Sequence, residues 1–320
     1  MRTIEPAFEV VTVTLNAAID RTVTIPNFTA GAVNRVESVR SNPGGKGVNV
    51  ASALADHGHG VAVTGFLGRS NAGAFEELFR QKKIADRFVR ITGQTRIGIK
   101  ITDPIRAETT DINFPGPAAT EAEVSMLLSQ IAALEAEWFV VAGSLPPGVD
   151  PAIYRDIIRR LRRRGSKVLL DTSGDPFPLA LEAKPTAIKP NIHEFEAYIG
   201  RSLPNEKDVI EAARELIRRG PELVVVSMGR KGACFVTANE SVIARPPDIE
   251  VKSTVGAGDA MVAGILSSQL QKLSLGECAR LATAFSIDSL SRLESGLSSR
   301  SAIETAMQKV TVAQSNEPKP

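Results

Sequence analysis

The sequence is poor in the residues that cross-link secreted domains or bind resident metal ions. It contains 2 cysteines (Cys234 and Cys278) and 3 histidines in 320 residues, and aromatic residues make up only 5%. Two cysteines cannot build a disulfide framework, which favours a reducing compartment and predicts a cytoplasmic protein. Three histidines leave little material for a histidine-rich metal site.

An excess of charge of one sign and long apolar runs are lacking as well. The 38 Lys and Arg residues nearly balance the 36 Asp and Glu residues, so the net charge is +2. Such a chain has no strong field to attract nucleic acid or an anionic membrane. No apolar run reaches the roughly 18 residues that span a bilayer, and the start, MRTIEPAFE, is unlike a signal peptide. We therefore expect neither a nucleic-acid nor a membrane partner.

Helix and strand patterns alternate along most of the chain. Short apolar runs such as FVVA and LVVVS suit strands that are buried on both faces. The alternation indicates βαβ units, and so an α/β fold with a mostly parallel central sheet covered by helices on both faces. The helices are predicted at Lys46–Asp56, Glu121–Leu134, Pro151–Arg164, Lys207–Arg219, Gly258–Gln271 and Ser274–Ser289, and the strands at residues 11–15, 61–66, 138–142, 168–171 and 223–227.

One region has only short strand patterns. The stretches Phe88–Ile91, Ile97–Thr102 and Thr109–Phe114 are separated by Gly, Thr and Pro, and few residues there would sustain a helix. We expect them to form a small sheet outside the main layer. Residues Val33–Val39 also alternate in the strand period, up to the turn-forming pair Asn42-Pro43.

Several familiar motifs are absent or incomplete. There is no GxxxxGK[ST] string, so a P-loop is excluded, and His193-Glu194 lacks the second histidine of a zinc protease. The GAG turn at Gly256 has Met261 where a dinucleotide-binding loop has its third glycine. Ser144 lacks the flanking glycines of a hydrolase nucleophile. The arginine-rich run at residues 159–164 is most simply interpreted as the solvated end of a helix.

The first glycine cluster that remains is Asn42-Pro43-Gly44-Gly45-Lys46-Gly47-Val48-Asn49, a loop that runs into a helix. Paired glycines let a ligand approach the backbone closely, and Lys46 and Asn49 add donors for hydroxyls or a phosphate. A tight turn that begins a helix explains the same residues equally well.

The second cluster is Ser253-Thr254-Val255-Gly256-Ala257-Gly258-Asp259-Ala260, at the start of a long helix. The amides of Gly256, Ala257 and Gly258 would lie at the helix N-terminus, where free N–H groups and the dipole favour an anion. Asp259 would then be either a capping carboxylate or a base beside an anion hole. Phosphoryl transfer to a hydroxyl requires the second arrangement.

The two clusters resemble the two motifs of the PfkB (ribokinase-like) family of carbohydrate kinases, in the same order. The similarity runs from about Val10 to the last helix. Ala17 stands where this branch of the family usually has proline. Further matching stretches are Thr14-Leu15-Asn16 with Asp20, Thr95-Arg96, Gly143-Ser144-Leu145-Pro146, Asp171-Thr172-Ser173, Lys189-Pro190-Asn191 with Glu194, and Ser227-Met228-Gly229.

The resemblance implies a role for each matching residue. Asp259 would be the catalytic base, with Gly256, Ala257 and Gly258 as the anion hole. Glu194 would also serve Mg²⁺, indirectly. The implied sugar ligands are Asp20, Gly44, Gly45, Lys46 and Asn49, the implied receptors of the substrate's own phosphate are Arg96 and Ser144, and the implied ATP ligands are Lys189, Asn191, Glu194, Ser227, Gly229 and Ser253.

The resemblance also implies the organisation of the chain and its substrates. One kinase domain would span residues 10–312, with a lid formed by about 20–42 and 88–116. The lids of two copies could pair to form a homodimer. Residues 313–320 would be a frayed tail. The substrates would be ATP, with Mg²⁺, and a sugar phosphate, for which fructose 1-phosphate is the leading candidate. Tagatose 6-phosphate and fructose 6-phosphate remain alternatives, as does a regulator that binds nucleotide or sugar without catalysis.

Overall fold

The short apolar runs form a ten-stranded sheet in the computed structural model, which describes residues 8–106, 108–292 and 296–314. The sheet order is β14-β13-β12-β11-β10-β9-β8-β1-β4-β5. The strands from β5 to β11 pair in parallel, and β12, β13 and β14 continue the sheet antiparallel. The strands are β1 Phe8–Thr14, β4 Val61–Gly68, β5 Ala85–Ile91, β8 Ala136–Ala142, β9 Lys167–Asp171, β10 Ala187–Ile188, β11 Leu223–Ser227, β12 Ala233–Val236, β13 Ser241–Arg245 and β14 Thr311–Gln314.

A separate small sheet has four strands in the order β3-β2-β6-β7. Its central pair, β2 and β6, is parallel, and both outer pairs are antiparallel. Every residue of β7 is exposed. The strands of this small sheet are β2 Ala18–Thr24, β3 Ser38–Gly44, β6 Arg96–Asp103 and β7 Glu108–Asn113.

Helices cover both faces of the large sheet because its strands are apolar on both sides. Along β1, Val10 enters one core, and Val11 and Val13 enter the core on the opposite face. Within the described residues, no helix is long and apolar enough to cross a lipid bilayer. The helices are α1 Lys46–Asp56, α2 Gly73–Lys82, α3 Glu121–Ala133, α4 Ile153–Arg163, α5 Pro176–Leu181, α6 Ile192–Ile199, α7 Glu206–Ile217, α8 Ala257–Leu270, α9 Leu275–Leu290 and α10 Arg300–Lys309.

The predicted α/β architecture is confirmed, and α1 and β11 have the predicted bounds. The prediction for Phe88–Ile91 was wrong, because this stretch lies in β5 and pairs with β4 at the edge of the large sheet. The small sheet therefore takes its later strands from Arg96 onward. The Val33–Val39 strand was also misplaced: β3 begins at Ser38 and continues through the Asn42-Pro43 pair to Gly44.

The end of the chain is only partly described. Residues 315–320 of the predicted frayed tail lie outside the described residues, but Ala313 and Gln314 belong to β14 and pair with β13. The last described strand thus extends the large sheet by one antiparallel pairing.

Candidate active site

The N-terminus of α8 is open. The chain enters this helix through Gly256, whose φ of 78° lies in the left-handed region that glycine adopts without strain. No described side chain caps this end, so the first-turn amides can bind an anion. The Nζ atom of Lys189 lies 3.4 Å from the point that a Cβ on Gly258 would occupy. A cation therefore stands beside the positive end of the helix dipole.

Asp259 lies in the first turn of α8 but does not cap it. Its side chain is buried, and its Oδ2 atom accepts a hydrogen bond of 2.8 Å from Nδ2 of Asn49 on α1. Burial raises the pKa of Asp259 to about 6. The charge of Lys46 opposes this rise and that of Asp171 adds to it, while the Asn49 bond and Lys189 oppose it. The capping interpretation is excluded, and the carboxylate titrates near neutral pH.

Lys46 and Lys189 meet at one carboxylate. The Oδ1 atom of Asp171, the last residue of β9, lies 3.1 Å from Nζ of Lys46 and 3.7 Å from Nζ of Lys189. Burial would lower the pKa of the Lys46 ammonium, but the charges of Asp171, Asp259 and Glu194 raise it above its usual value. Both lysines converge on the region of Asp259.

Asp20 lies in a space that two glycines leave open. It stands on β2 between Asn42 of β3 and Gly98 of β6. A Cβ on Gly44 would collide with Oδ2 of Asp20, and a Cβ on Gly98 would lie 3.2 Å from its Oδ1. Burial raises the pKa of the Asp20 carboxyl, and the charges of Lys100 and Arg96 partly oppose this.

Gly45 begins α1 with a φ of 101°, a conformation that favours glycine. A Cβ there would lie 3.0 Å from Cα of Ala17, so the loop packs directly on the backbone that leads to β2. Lys46 and Asn49 follow in the first turn of α1, so this packing fixes where α1 begins relative to β2.

Arg96 and Ser144 are connected through Asn16. The Nδ2 atom of Asn16 donates a 3.1 Å hydrogen bond to Oγ of Ser144, and Nε of Arg96 donates a 3.4 Å bond to the Asn16 carbonyl. Burial lowers the pKa of the Arg96 guanidinium, against the charge of Asp20. The structure thus connects Arg96 and Ser144, the two residues that we expected to receive a phosphate, through Asn16.

The predicted nucleotide residues follow neighbouring strands. Asn191 and Glu194 form a capping box at the start of α6, with reciprocal hydrogen bonds of 2.9 Å. One Glu194 carboxylate oxygen is therefore committed to the helix. Asn191 also makes a parallel bridge to Ser227 at the end of β11, and Gly229 follows with a φ of 59°. These residues lie at the carboxyl edge of the parallel sheet, where ligands of open α/β sheets bind.

A cleft that is open to solvent joins the small sheet to the start of α8. Asp20, Asn49, Ser253 and Gly256 line it. The Oγ atom of Ser253 accepts a 3.2 Å hydrogen bond from the amide of Val255, so this serine also shapes the loop. The cleft therefore connects a predicted sugar ligand with the predicted anion hole.

Asn16 and Asp171 were not predicted as site residues, although both belong to stretches that matched the family motifs. Asp171 ends the buried run VLLD at the carboxyl edge of the sheet, and a charged residue at that place is a usable signal. Asn16 follows β1 in the same way. Their partners lie more than a hundred residues away along the chain, at 125 residues for Asp171 and Lys46 and 128 for Asn16 and Ser144.

The model of the pfkB family of carbohydrate kinases matches residues 10–302. This match covers most of the chain. The chain belongs to the pfkB family of carbohydrate kinases. A 1-phosphofructokinase of Rhodobacter capsulatus is 48% identical over 287 residues, which cover 89% of this chain and 91% of that relative.

Solved structures agree with this family assignment. Phosphofructokinase-2 from Escherichia coli in complex with potassium has a TM-score of 0.87 and 28% identity, and the alignment covers 94% of this chain and 98% of that one. The ribokinase of Thermotoga maritima has a TM-score of 0.76 at 20% identity, covering 94% of this chain and 99% of that one. The second likeness shows the fold alone, and it confirms the ribokinase-like architecture.

Proposed function

We propose that this protein is an ATP-dependent kinase that phosphorylates fructose 1-phosphate to fructose 1,6-bisphosphate. The observation that carries the proposal is the buried Asp259 carboxylate at the uncapped start of α8, held by Asn49 and near two lysines. The pfkB membership and the 1-phosphofructokinase name of a 48% identical relative support the same activity.

Asp259 acts as the general base. It takes the proton from the acceptor hydroxymethyl group while the oxygen forms a bond to the γ-phosphorus, and the bond from that phosphorus to the bridging oxygen of ATP breaks to release ADP. A base whose pKa is about 6 is ionised at neutral pH and holds the transferred proton better than an ordinary aspartate. Asn49 fixes the direction of the carboxylate through its 2.8 Å hydrogen bond.

The migrating phosphoryl group is stabilised by the amides of Gly256, Ala257 and Gly258 and by Lys46 and Lys189. Fixed N–H groups and ammonium groups act on charge that spreads over the phosphoryl oxygens, and in a buried site they do so with little reorganisation. The Lys189 ammonium beside Gly258 supports this arrangement.

The sugar binds between the small sheet and α1. The Asp20 carboxylate can accept hydrogen bonds from its hydroxyl groups, and the backbone at Gly44 and Gly45 lets these groups come close. Asn49 and Lys46 can donate hydrogen bonds to the same hydroxyl groups. Arg96 and Ser144 receive the phosphate that the sugar already carries. A guanidinium suits this task because it donates two parallel hydrogen bonds to phosphate oxygens.

ATP binds at the carboxyl edge of the sheet, along Asn191, Ser227, Gly229 and Ser253. In the described ranges no group of three or more His, Cys, Asp or Glu residues could hold a metal ion, and Glu194 supplies one carboxylate. Mg²⁺ commonly uses one or two carboxylates, waters and substrate phosphates. These residues therefore fit an ion that would enter with ATP and neutralise phosphate charge, and Glu194 would hold it indirectly, through water.

We also propose that two copies pair through the small sheet in the cytoplasm. Its outer strands β3 and β7 are sheet edges, and Val39, Ile112 and Phe114 are 56%, 44% and 48% exposed. Cys234 and Cys278 are buried free thiols, as suits a reducing compartment. Sedimentation of the Ile112→Asp variant tests the pairing: we expect a monomer, and an unchanged particle mass would contradict it.

A coupled assay that measures ADP tests the activity, with fructose 1-phosphate, tagatose 6-phosphate and fructose 6-phosphate as acceptors. We expect the highest kcat/KM for fructose 1-phosphate. The Asp259→Asn variant should lose about 10²- to 10⁴-fold in kcat and still bind ATP. Asp156→Asn, on the outer helix α4, is the matched control. Near-normal turnover by Asp259→Asn would reject the base, and a preference for a 6-phosphate would reassign the sugar.

A further inference from the structure

Asp171 is a fully buried carboxylate that the proposed mechanism does not use. Its side chain is 1% exposed, and its Oδ1 atom contacts the ammonium groups of both Lys46 and Lys189. Its Oδ2 atom has no hydrogen-bond partner among the described residues. A buried carboxylate with one free oxygen is costly unless its charge is compensated. The two lysine ammonium groups provide that compensation, and Asp171 holds both of them in position.

The two lysines come from different parts of the fold. Lys46 is the first residue of α1 and its side chain is 35% exposed, whereas Lys189 follows β10 and its side chain is 5% exposed. Without Asp171, two ammonium groups converging on the same carboxylate position would repel each other. The long, flexible Lys46 side chain would then leave its present position and turn towards Asp259, a carboxylate that already acts on its charge.

We propose that Asp171 is a positioning residue for phosphoryl transfer: it holds Lys46 and Lys189 together beside the N-terminus of α8 and sets the charge that Asp259 experiences. This inference rests on the kinase function proposed above. Asp171 itself contacts no reacting atom, and it acts through the two lysines and through the field at Asp259.

The charges explain why one carboxylate is shared by two cations. Lys46, Lys189, Asp171 and ionised Asp259 together carry no net charge. When Asp259 takes the proton of the sugar hydroxyl, the same four groups carry one positive charge, and this happens while the anionic phosphoryl group moves. Glu194 on α6 also acts on Lys46. The site therefore becomes more favourable for the phosphoryl group as the proton is transferred.

An ion pair too remote to act on the base would affect stability and leave the titration of Asp259 unchanged. The groups that act on Asp259 are Lys46 and Asn49 from α1, Asp171 from β9 and Lys189 after β10, and the charge of Asp171 raises the pKa of Asp259. Removing that charge at constant volume should therefore lower the pKa. Because an ionised base is required, the acid limb of the activity profile should move to lower pH.

The test is the isosteric variant Asp171→Asn, assayed with fructose 1-phosphate and ATP, with Asp156→Asn as the control. We expect kcat to fall about 10- to 100-fold because the lysines are misplaced. The midpoint of the acid limb of kcat should move down by about half to one pH unit. A kcat within twofold of wild type, or a lower kcat with an unshifted acid limb, would overturn the positioning role.

Should Asp171→Asn fail to fold, the double variant Asp171→Asn/Lys189→Met replaces it, compared with Lys189→Met alone. The same downward shift of the acid limb between these two proteins is expected, and no shift rejects the inference. The Asp259→Asn variant distinguishes failure of this inference from failure of the proposed kinase function. If Asp259→Asn is inactive and Asp171→Asn behaves as wild type, only the inference fails, whereas full activity of Asp259→Asn rejects the proposed function.

Discussion

Asn49 and Asp259 are 210 residues apart in the chain and are joined by a 2.8 Å hydrogen bond between Nδ2 and Oδ2. The bond connects the two glycine-rich motifs: Asn49 lies one turn into α1, and Asp259 lies in the first turn of α8. The two helices pack against each other near the carboxyl edge of the sheet. The proposed base is thus oriented by the same loop that is expected to bind the sugar.

The pH dependence of turnover should report Asp259. Its pKa is raised from 3.8 to about 6, and a general base must be ionised to accept a proton. Activity should therefore fall as the pH decreases through about 6, and should be constant above it until another group titrates. Measurement of kcat/KM between pH 5 and 9 at saturating ATP gives this limb.

The phosphate of the sugar also titrates near pH 6, so the same profile should be recorded with unphosphorylated fructose as a poor acceptor. Its hydroxyl groups do not ionise in this range. A limb near pH 6 with both acceptors assigns it to the enzyme. A profile with fructose that stays flat down to pH 5 would contradict the raised pKa of Asp259.

Replacing the base should stabilise the fold. A buried carboxyl whose folded pKa exceeds its unfolded value makes the protein less stable as the pH rises through 3.8 to 6, and the full penalty remains above that window. The shift of the pKa to about 6 corresponds to a free energy of about 2 to 3 kcal/mol. Asp259→Asn should therefore raise the free energy of unfolding by about that amount at pH 8, measured with urea, and by about half as much at pH 5.

The effect includes the attraction of the neighbouring lysines, which is already part of the raised pKa. Asp156→Asn on α4 should show no comparable gain. Equal stability of Asp259→Asn and wild type at pH 8 would mean that the ionised carboxylate is compensated by its surroundings, and would argue against a pKa of about 6.

The connection of Arg96 to Ser144 through Asn16 predicts that a variant without Arg96 loses affinity for the sugar and not for ATP. Arg96→Ala should raise KM for fructose 1-phosphate about 10- to 100-fold, because hydrogen bonds to a charged group contribute about 1.5 to 3 kcal/mol. KM for ATP should stay within twofold. Arg21→Ala, whose Nε atom bonds Ser41 in the same small sheet, is the matched control. An equal rise for both substrates would show that Arg96 does not bind the sugar phosphate.

Local patterns predicted the layers of the fold and much of the site. The period of α1 and the apolar run of β11 depend on neighbours in the chain, so their bounds could be predicted. The pairing of Phe88–Ile91 with β4 is set by tertiary contacts, so local patterns could not predict to which sheet this stretch belongs. For the same reason the sequence does not show that Lys46 and Lys189 share Asp171.

Gly44→Ala should weaken sugar binding through Asp20. The backbone of Gly44 does not lie in the left-handed region, so alanine can adopt its conformation, but the added Cβ would collide with Oδ2 of Asp20. The half-buried Asp20 side chain can rotate away, and the fold should survive. We expect KM for fructose 1-phosphate to rise about tenfold, as for a lost hydrogen bond to a charged group, with KM for ATP unchanged. Gly73→Ala, where a Cβ meets no atom within 4 Å, is the control. If Gly44→Ala binds the sugar as well as Gly73→Ala does, the carboxylate of Asp20 does not hold the sugar in the orientation seen here.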